Sequence, residues 1–279
     1  PTSGPTDSCH SRDQSLTHAG RTAVTSPTSA ATEQAGAAPG RRTETGHTGE
    51  EYREEVQLHL MRHLGEPHVA FSDQDGWADK SKEPGPPIDV MVIPPEGERR
   101  FAYVCTYGSS LKKGGDVMSP GGKARMEFVL ATPQRGDPKA DLAMLNLAAN
   151  TVRQFAKLVH IQGVRVSAGE TVQFSKSPKA VFENTRQVAF AFIRPRLPAD
   201  GFERMRLPNG DAVDFWAPTP IYRDELEAAA AHGTVKLAKA LEKAGVTEML
   251  HLDRPSAARK AYGLRRTVIS KIRNLFRRS

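Results

Sequence analysis

The sequence predicts an α/β protein in which helices cover one central sheet. Three runs of strand length follow one another between Ile88 and Leu130, and each is rich in β-branched or aromatic residues. Segments with apolar residues at helical spacing precede and follow these runs. The first 48 residues are instead rich in Ser, Thr, Gly, Ala and Pro, with Leu16 and Val24 as their only large aliphatic residues. We therefore expect one folded domain behind a disordered tail.

The centre of the sheet is predicted from three strands: Ile88–Ile93, Phe101–Thr106 and Arg125–Leu130. The first is apolar at nearly every position, so both of its faces should be covered. The connector Pro94–Arg100 is charged and turn-rich, which indicates a hairpin between the first two strands. In the third strand, Met126 and Phe128 point one way and Glu127 the other. We expect the three strands to be neighbours.

Further elements are predicted on both sides of this centre. The helices are Glu50–Leu64, Asp141–Leu158, Arg223–His232 and Thr234–Ala244, and the strands are Val164–Phe174, Val188–Ile193 and Ala212–Trp216. Gly233 should end the third helix, and Thr234 should cap the fourth. Pro218 and Pro220 should end the last strand, because proline cannot donate to a sheet.

The net charge of +7 is distributed unevenly. From Arg254 to Ser279 there are nine Lys or Arg and no acidic residue, whereas Gly49–Asp253 holds 26 basic and 28 acidic residues, a net of −2. A nucleic-acid-binding fold would spread positive charge over its body, so we discount that class for the body. We expect three parts: a tail (1–48), a folded domain (49–254) and a basic amphipathic helix (255–279).

The basic segment at the end would place its apolar residues on one side of a helix: Leu264, Val268, Ile269, Ile272, Leu275 and Phe276. Its Lys and Arg side chains fall mostly on the other side. Such a helix can dock onto the body, lie weakly on an anionic membrane, or contact nucleic acid through its charges. We expect it to be separable from the domain.

Composition also indicates the cellular compartment in which the chain is expected to work. No apolar run approaches the ~20 residues that a membrane helix needs, and the first 30 residues contain no hydrophobic stretch of the signal-peptide type. Cys9 falls in the tail and Cys105 within a strand, so no disulfide is expected. These observations favour a reducing compartment, the cytoplasm.

A Gly-rich segment, Tyr107–Lys123, follows the second central strand. It is not a phosphate-binding loop, because Val117 stands where the first glycine is required and Ala124 where a Ser or Thr is required. We expect a long surface loop, and long loops are where binding residues concentrate.

The sequence also contains carboxylate, thiol and hydroxyl side chains that could serve catalysis. Asp89 and Glu127 lie on two strands and could hold a metal ion, as in a metal-dependent nuclease. That pattern needs a lysine at position 129, which is Val129. Cys105 lies in an apolar strand, where a thiol is inert, and Ser109 lacks the flanking glycines of a hydrolase elbow. We expect structural carboxylates, no catalysis and no cofactor; the nuclease remains the alternative.

His59 and His63 stand four residues apart on the first predicted helix, a spacing that could place two metal ligands on one face. The helix lacks the Glu that a zinc protease has between its two histidines. We therefore expect solvated surface histidines and no metal site.

Six short motifs stand in order between about Glu50 and Arg254. They are Leu64-Gly65-Glu66-Pro67, Ile88-Asp89-Val90 with Ile93-Pro94-Pro95, Cys105 to Ser110, Met126 to Leu130 with Pro133, Gly169-Glu170-Thr171-Val172 after Leu147–Phe155, and Pro220-Ile221-Tyr222 with Glu225-Leu226-Glu227. Their order and spacing resemble the suppressor-of-fused domain, the bacterial form in particular. The third is similar to that family's Thr-x-Gly-x-Ser turn, and the fourth to its Glu-Leu-hydrophobic strand. The chain departs from the family at Ser109, often Met or Leu, and at Asp141–Met144, which lacks a usual tryptophan or other bulky residue.

The resemblance implies a fold of the α+β type, a single domain with a mixed, mostly antiparallel sheet covered by helices. It also implies a binding role. Animal members hold a transcription factor, and many bacterial members look like immunity proteins that block a toxin domain. We therefore expect a cognate toxin domain as the partner, with Tyr107 as the anchor. The expected contact residues are Tyr107, Gly108, Ser109, Ser110 and Asp116, and the acidic helix around Asp224, Glu225 and Glu227 is the alternative interface.

Overall fold

A computed structural model describes residues 51–72, 86–114, 124–175, 179–183 and 185–258 of this chain. The predicted helices and the three predicted central strands form, and the short strands β1 and β7, given below, were not predicted. The strands in this part of the chain are β1 (Val69–Phe71), β2 (Asp89–Ile93), β3 (Phe101–Tyr107), β4 (Arg125–Pro133), β5 (Thr171–Val172), β6 (Gln187–Ile193), β7 (Arg204–Arg206) and β8 (Ala212–Tyr222). The helices there are α1 (Glu51–Leu64), α2 (Pro138–Gln162), α3 (Arg223–His232) and α4 (Thr234–Lys243).

The strands of the described residues make one sheet in the order β1-β2-β3-β4-β8-β6-β5, and β7 pairs with β8 beside this path. The pair β4–β8 is parallel, and the other described pairs are antiparallel. The prediction of a mixed, mostly antiparallel sheet is confirmed. The three central strands are neighbours, and β2 and β3 form the predicted hairpin, with Ile93 opposite Tyr103 and Asp89 opposite Tyr107.

Helices cover both faces of the sheet. On one face, α2 packs against side chains that include Met126, Phe128 and Leu130 of β4. On the other face, α1 packs against residues such as Cys105 and Val129, and α3 with α4 packs against alternate residues of β6 and β8. The alternation that predicts the two faces of β4 is therefore confirmed.

Two strand predictions are corrected. β8 continues past Trp216 to Tyr222, with Pro218 opposite Phe192 and Pro220 opposite Phe190 of β6. Residues two apart present their backbone groups toward the same edge, so the two prolines remove donors from one edge of β8 only. The predicted strand Val164–Phe174 is reduced to β5, because the backbone turns at Gly169, where φ is +78° and a Cβ would overlap the Thr234 carbonyl.

One helix start and one helix cap differ from prediction. Helix α2 begins at Pro138 rather than Asp141, because Asp137 accepts hydrogen bonds from the N–H groups of Lys139 and Ala140. Asp141 is buried and accepts from the N–H groups of residues 135 and 136. Helix α4 has Gly233 at its N-cap and no side-chain cap, so the predicted Thr234 cap is wrong.

The end of the described chain returns to the sheet. Leu250 donates its N–H to the Ala131 carbonyl at 2.7 Å. Arg254 forms a bidentate ion pair with the buried Glu225, at 2.6 and 2.7 Å. Ala257 and Ala258 are buried beyond that pair. The boundary predicted at residue 254 therefore falls inside a contact network.

Some predictions lie outside the described residues. They concern the tail 1–48, Cys9, Asp116 and the part of the basic helix from residue 259 onward, and they stay predictions. Among the described helices, none combines the length and apolar character that a membrane-spanning segment needs.

Candidate functional site

The turn after β3 is the feature that the sequence singles out. Gly108 begins it with φ of +113°, in the left-handed region, and a Cβ there would overlap the carbonyl oxygen of Pro87. Only glycine fits both conditions. A 3₁₀ turn, Ser109–Leu111, follows, and all three of its residues are buried. The predicted surface loop is therefore corrected here, because its first part lies inside the protein.

Glu127 is the reason that this turn is buried. Its side chain is completely buried, and its Oε1 accepts hydrogen bonds from the Gly108 N–H (3.1 Å), the Ser110 N–H (2.9 Å) and the Ser110 hydroxyl (2.6 Å). Its Oε2 accepts from the Thr106 hydroxyl at 2.6 Å. Thr106, Gly108 and Ser110 are the defined positions of the Thr-x-Gly-x-Ser motif, and each donates to this carboxylate. Burial raises the pKa of Glu127, while these donors oppose the increase.

His160 and Arg125 hold the turn from outside. The His160 Nε2–H donates to the Ser109 carbonyl at 2.9 Å, and the Ser109 hydroxyl lies 3.2 Å from the same nitrogen. Burial lowers the pKa of His160 and favours the neutral ring. The Arg125 Nη1 donates to the carbonyls of Ser110 (2.8 Å) and Leu111 (2.7 Å). Helix α2 and strand β4 therefore fix both ends of the 3₁₀ turn.

Tyr107 lies half-buried at the surface beside this turn. The Arg53 guanidinium of α1 stacks over its ring at 4.6 Å and pairs with Asp89 of β2 at 2.5 Å. The Tyr107 hydroxyl donates to Gln57 Oε1 at 3.3 Å. We call Arg53, Gln57, Asp89 and Tyr107 the Tyr107 platform. Tyr and Arg are the residue types enriched in protein–protein interfaces.

The predicted contact residues therefore divide into two roles. Tyr107 reaches the surface, whereas Gly108, Ser109 and Ser110 are buried and hold the turn in place. Asp116 falls in the segment 115–123, outside the described residues. The assignment of partner contacts to this loop stays a prediction. The alternative interface, the acidic helix around Asp224, Glu225 and Glu227, loses one of its expected contact residues. Glu225 is completely buried and paired with Arg254.

Arg53, Gln57 and His160 were missed by sequence reasoning. Arg53 and Gln57 stand four apart on the predicted first helix, which places them on one face. Helical periodicity does not predict which strand end the face with Arg53 and Gln57 packs against. The ion pair of Arg53 with Asp89 depends on the packing of α1 across the sheet.

The two carboxylates of the nuclease alternative have structural partners. Asp89 is ion-paired with Arg53, and both oxygens of Glu127 accept internal hydrogen bonds. Within the described ranges, no group of three or more His, Cys, Asp or Glu side chains could hold a metal ion. Cys105 is fully buried, and burial raises the pKa of its thiol well above its ordinary value, which disfavours the reactive thiolate.

His59 contradicts the prediction of solvated histidines. It is buried, its Nε2–H donates to the Phe202 carbonyl at 3.0 Å, and its ring stacks on Phe202 and Phe215. Burial lowers its pKa. The amphipathic spacing of α1 places His59 beside Val56 and Leu60, which face the core.

The family model of the suppressor of fused protein matches residues 84–255, more than half of the chain. No curated protein matches. Among solved structures, the chain is similar to a suppressor of fused homolog from Neisseria gonorrhoeae, with 18% identity, 75% of this chain and 97% of that chain covered, and a TM-score of 0.44. The structure described as the Sufu–Fu complex is 13% identical, with 76% of this chain and 93% of that chain covered, and a TM-score of 0.49.

Drosophila Suppressor of Fused gives 12% identity, 82% coverage of this chain and a TM-score of 0.51. At that level of identity the likeness shows a shared fold. The chain spans 55% of the Drosophila structure.

Proposed function

The chain belongs to the suppressor of fused family, and from that premise we propose that it is a non-catalytic domain that binds a protein partner. We propose further that the partner is a toxin domain, which the chain neutralises in the cytoplasm as an immunity protein. The family resemblance of the bacterial form supports the toxin as partner. The Tyr107 platform supports the place of contact.

The observation on which the proposal depends is the rigid support beneath Tyr107. The residue is followed directly by a turn whose N–H groups and hydroxyl groups bind the buried Glu127. Arg53 over its ring limits its motion further. An aromatic side chain held in this way loses little conformational entropy when a partner binds. Part of the Tyr107 side chain is already buried, and the exposed remainder forms a flat, amphipathic anchor.

The same network argues against the nuclease alternative. A metal-binding carboxylate needs a free oxygen, and both Glu127 oxygens are occupied by donors from its own fold. Moving Oε1 to a metal would leave the Gly108 and Ser110 N–H groups buried without an acceptor, and moving Oε2 would remove the acceptor of the Thr106 hydroxyl. We therefore assign Glu127 to the architecture of the turn.

Co-expression tests the proposal. The proposal predicts that a large multidomain toxin is encoded beside this chain, and the toxin domain of that protein is expressed with wild type, with Tyr107→Ala or with Arg194→Ala. Arg194→Ala is the control, because it removes an arginine–aromatic contact of the same kind at a different place. Arg194 pairs with Asp214 (3.0 Å) and stacks over Trp216 (3.8 Å), as Arg53 pairs with Asp89 and stacks over Tyr107. Wild type and Arg194→Ala should restore growth, and Tyr107→Ala should not. Equal rescue by all three would contradict the place of contact, and no rescue by wild type would contradict the toxin partner.

Catalysis is tested on the purified protein with DNA, RNA and nucleotides in magnesium or manganese. We expect no turnover. Turnover that is lost in Asp89→Asn, with the melting temperature retained, would restore the nuclease alternative.

A further inference from the structure

The described chain ends in the first residues of a helix. Residues 257 and 258 are helical. The Ser256 hydroxyl oxygen accepts a hydrogen bond from the Ala258 N–H at 3.3 Å, which is the contact that a serine makes when it caps a helix N-terminus. The same hydroxyl donates to Asp224 Oδ2 at 2.8 Å. A helix therefore begins at Ala257, immediately before the basic segment 259–279.

This helix start is fixed to the domain. The Ala257 N–H donates to Glu225 Oε1 at 2.6 Å, and the same carboxylate holds Arg254. Ala257 packs in the apolar cluster between the sheet and the helices α3 and α4. Ala258 is completely buried. The residues that follow are thus attached to the body at a defined place, beside the first turn of α3.

The sequence after this start is basic and amphipathic. Arg254 is one of the nine Lys and Arg of Arg254–Ser279, so eight lie beyond Ala258, and no acidic residue does. On a helical projection, the six apolar residues from Leu264 to Phe276 fall within an arc of about 140°. Gly263 separates them from the capped start. Because glycine is unfavourable inside a helix, we expect the chain to change direction there.

The body offers this apolar side little surface near the point of attachment. Within the part of the chain that the structure describes, no exposed large apolar side chain lies on α3 or between residues 244 and 258. Those that are exposed are spread over separate elements: Leu58, Leu142, Ile161, Phe174, Leu197 and Val235. We therefore expect the apolar side of the segment to find its partner outside this chain.

A nucleic acid would match only the charges of the segment. Phosphates would pair with its Lys and Arg side chains but would leave the six apolar side chains in water. The surface of an anionic bilayer matches both sides, because its headgroups attract the cations and its acyl-chain boundary accepts the apolar residues. The chemistry of the segment therefore favours a lipid surface.

We propose that residues 259–279 bind an anionic membrane surface as a helix that lies in the plane of the interface. The helix start at Ala257, held by Ser256 and Glu225, then attaches the folded domain to that surface. This inference goes beyond the proposed partner binding and is independent of it, since it involves neither the Tyr107 platform nor a protein ligand.

Vesicle flotation tests the inference on the full chain. One set of vesicles contains equal parts of phosphatidylglycerol and phosphatidylcholine, and the other contains phosphatidylcholine alone. We expect the chain to float with the anionic vesicles only. A chain that ends at Ala258 keeps the helix start, so it should melt at the temperature of the full chain and should not float.

A charge variant separates the segment from the body. The variant reverses three cations of the segment: Arg266→Glu, Lys271→Glu and Arg273→Glu. The matched control reverses three exposed cations of the body: Lys139→Glu, Arg165→Glu and Lys179→Glu. We expect binding to anionic vesicles to weaken at least about tenfold in the segment variant and to stay near the wild-type level in the control. Equal weakening in both would overturn the inference.

An apolar variant separates insertion from charge pairing. Ile272→Ser with Leu275→Ser should also weaken vesicle binding about tenfold. Its control is Leu142→Ser with Val235→Ser, which changes two body residues that are 55% and 63% exposed and should have no effect. Vesicle binding that the segment variant leaves unchanged would show that the charges act alone, as they would on nucleic acid, and would overturn the inference. Absence of flotation by the full chain, or a large fall in the melting temperature of the shortened chain, would overturn it as well.

Discussion

Ser110 donates two hydrogen bonds to one oxygen of Glu127, from its backbone N–H at 2.9 Å and from its hydroxyl at 2.6 Å. The two residues are 17 positions apart and come from two different motifs of the family. Their contact joins the turn after β3 to β4, and Gly108 and Thr106 complete the set of donors. The two motifs are therefore one structural unit that supports Tyr107.

Removing the carboxylate should destabilise the protein strongly. Glu127→Ala leaves the buried N–H groups of Gly108 and Ser110 without an acceptor, so we expect a loss of about 3 kcal/mol in the free energy of unfolding. Glu127→Gln should cost less, because its amide oxygen replaces Oε1 and the Thr106 hydroxyl can accept from its N–H. Urea unfolding of wild type, Glu127→Ala and Glu127→Gln measures these losses. Equal losses in the two variants would contradict the argument that an oxygen acceptor at this position stabilises the turn.

The stability should also depend on pH through Glu127. Burial raises its pKa above the ordinary value of 4.5. Between 4.5 and the raised value, the folded state holds a proton that the unfolded state has released. The contribution of Glu127 to stability is thus full below pH 4.5 and is lost as the pH rises through the raised pKa.

Glu127→Gln has no titratable group at this position and therefore serves as the reference for wild type. We expect wild type to lose stability relative to Glu127→Gln as the pH rises from below 4.5. Glu248, whose pKa burial also raises, is present in both proteins and cancels. A difference between the two unfolding free energies that is constant with pH, or that changes in the opposite direction, would be inconsistent with a raised pKa.

Gly108 should tolerate no side chain. Gly108→Ala combines a left-handed backbone with overlap on the Pro87 carbonyl, and we expect a loss above about 2 kcal/mol. Gly97→Ala is the matched control, since Gly97 has φ of +58° and nothing within 4 Å of an added Cβ. Its cost should be about 1 kcal/mol, from the backbone alone. Thermal melts compare the two, and similar losses would remove the steric argument.

Arg254 should be far more important to stability than a surface arginine. Arg254→Met leaves the completely buried Glu225 without its cation, so we expect a loss of about 3–5 kcal/mol. Arg196→Met is the control, because its pair with Glu242 is exposed and 3.7 Å long. We expect that control to change stability by about 0.5 kcal/mol or less. A small effect of both substitutions would show that the buried pair is dispensable.

Much of the fold follows from local signals. Helix α3 begins and ends at the predicted residues, because Asp224 and Glu225 stand in its first turn and Gly233 follows it. The faces of β4 follow from simple alternation. β8 was predicted too short, since the sequence does not show which edge of the strand Pro218 and Pro220 occupy.

The site depends on distant contacts, and less of it could be predicted. The motif match identified the turn and Glu127 as separate pieces. Nothing in periodicity indicates that Ser110 reaches Glu127, because that contact depends on the path of the chain after Gly108. Likewise, His59 has the spacing of the apolar face of α1 but a polar side chain, and the partners that accommodate it, Phe202 and Phe215, are distant in sequence.

Calorimetric titration of the proposed partner, the toxin domain, into wild type, Tyr107→Ala and Arg194→Ala tests the central claim most directly. We expect Tyr107→Ala to weaken binding by about 2 kcal/mol or more, as for a central aromatic anchor, while its melting temperature stays close to that of wild type. Arg194→Ala should bind as wild type does. Unchanged affinity of Tyr107→Ala would contradict the account and would place the interface elsewhere on the domain.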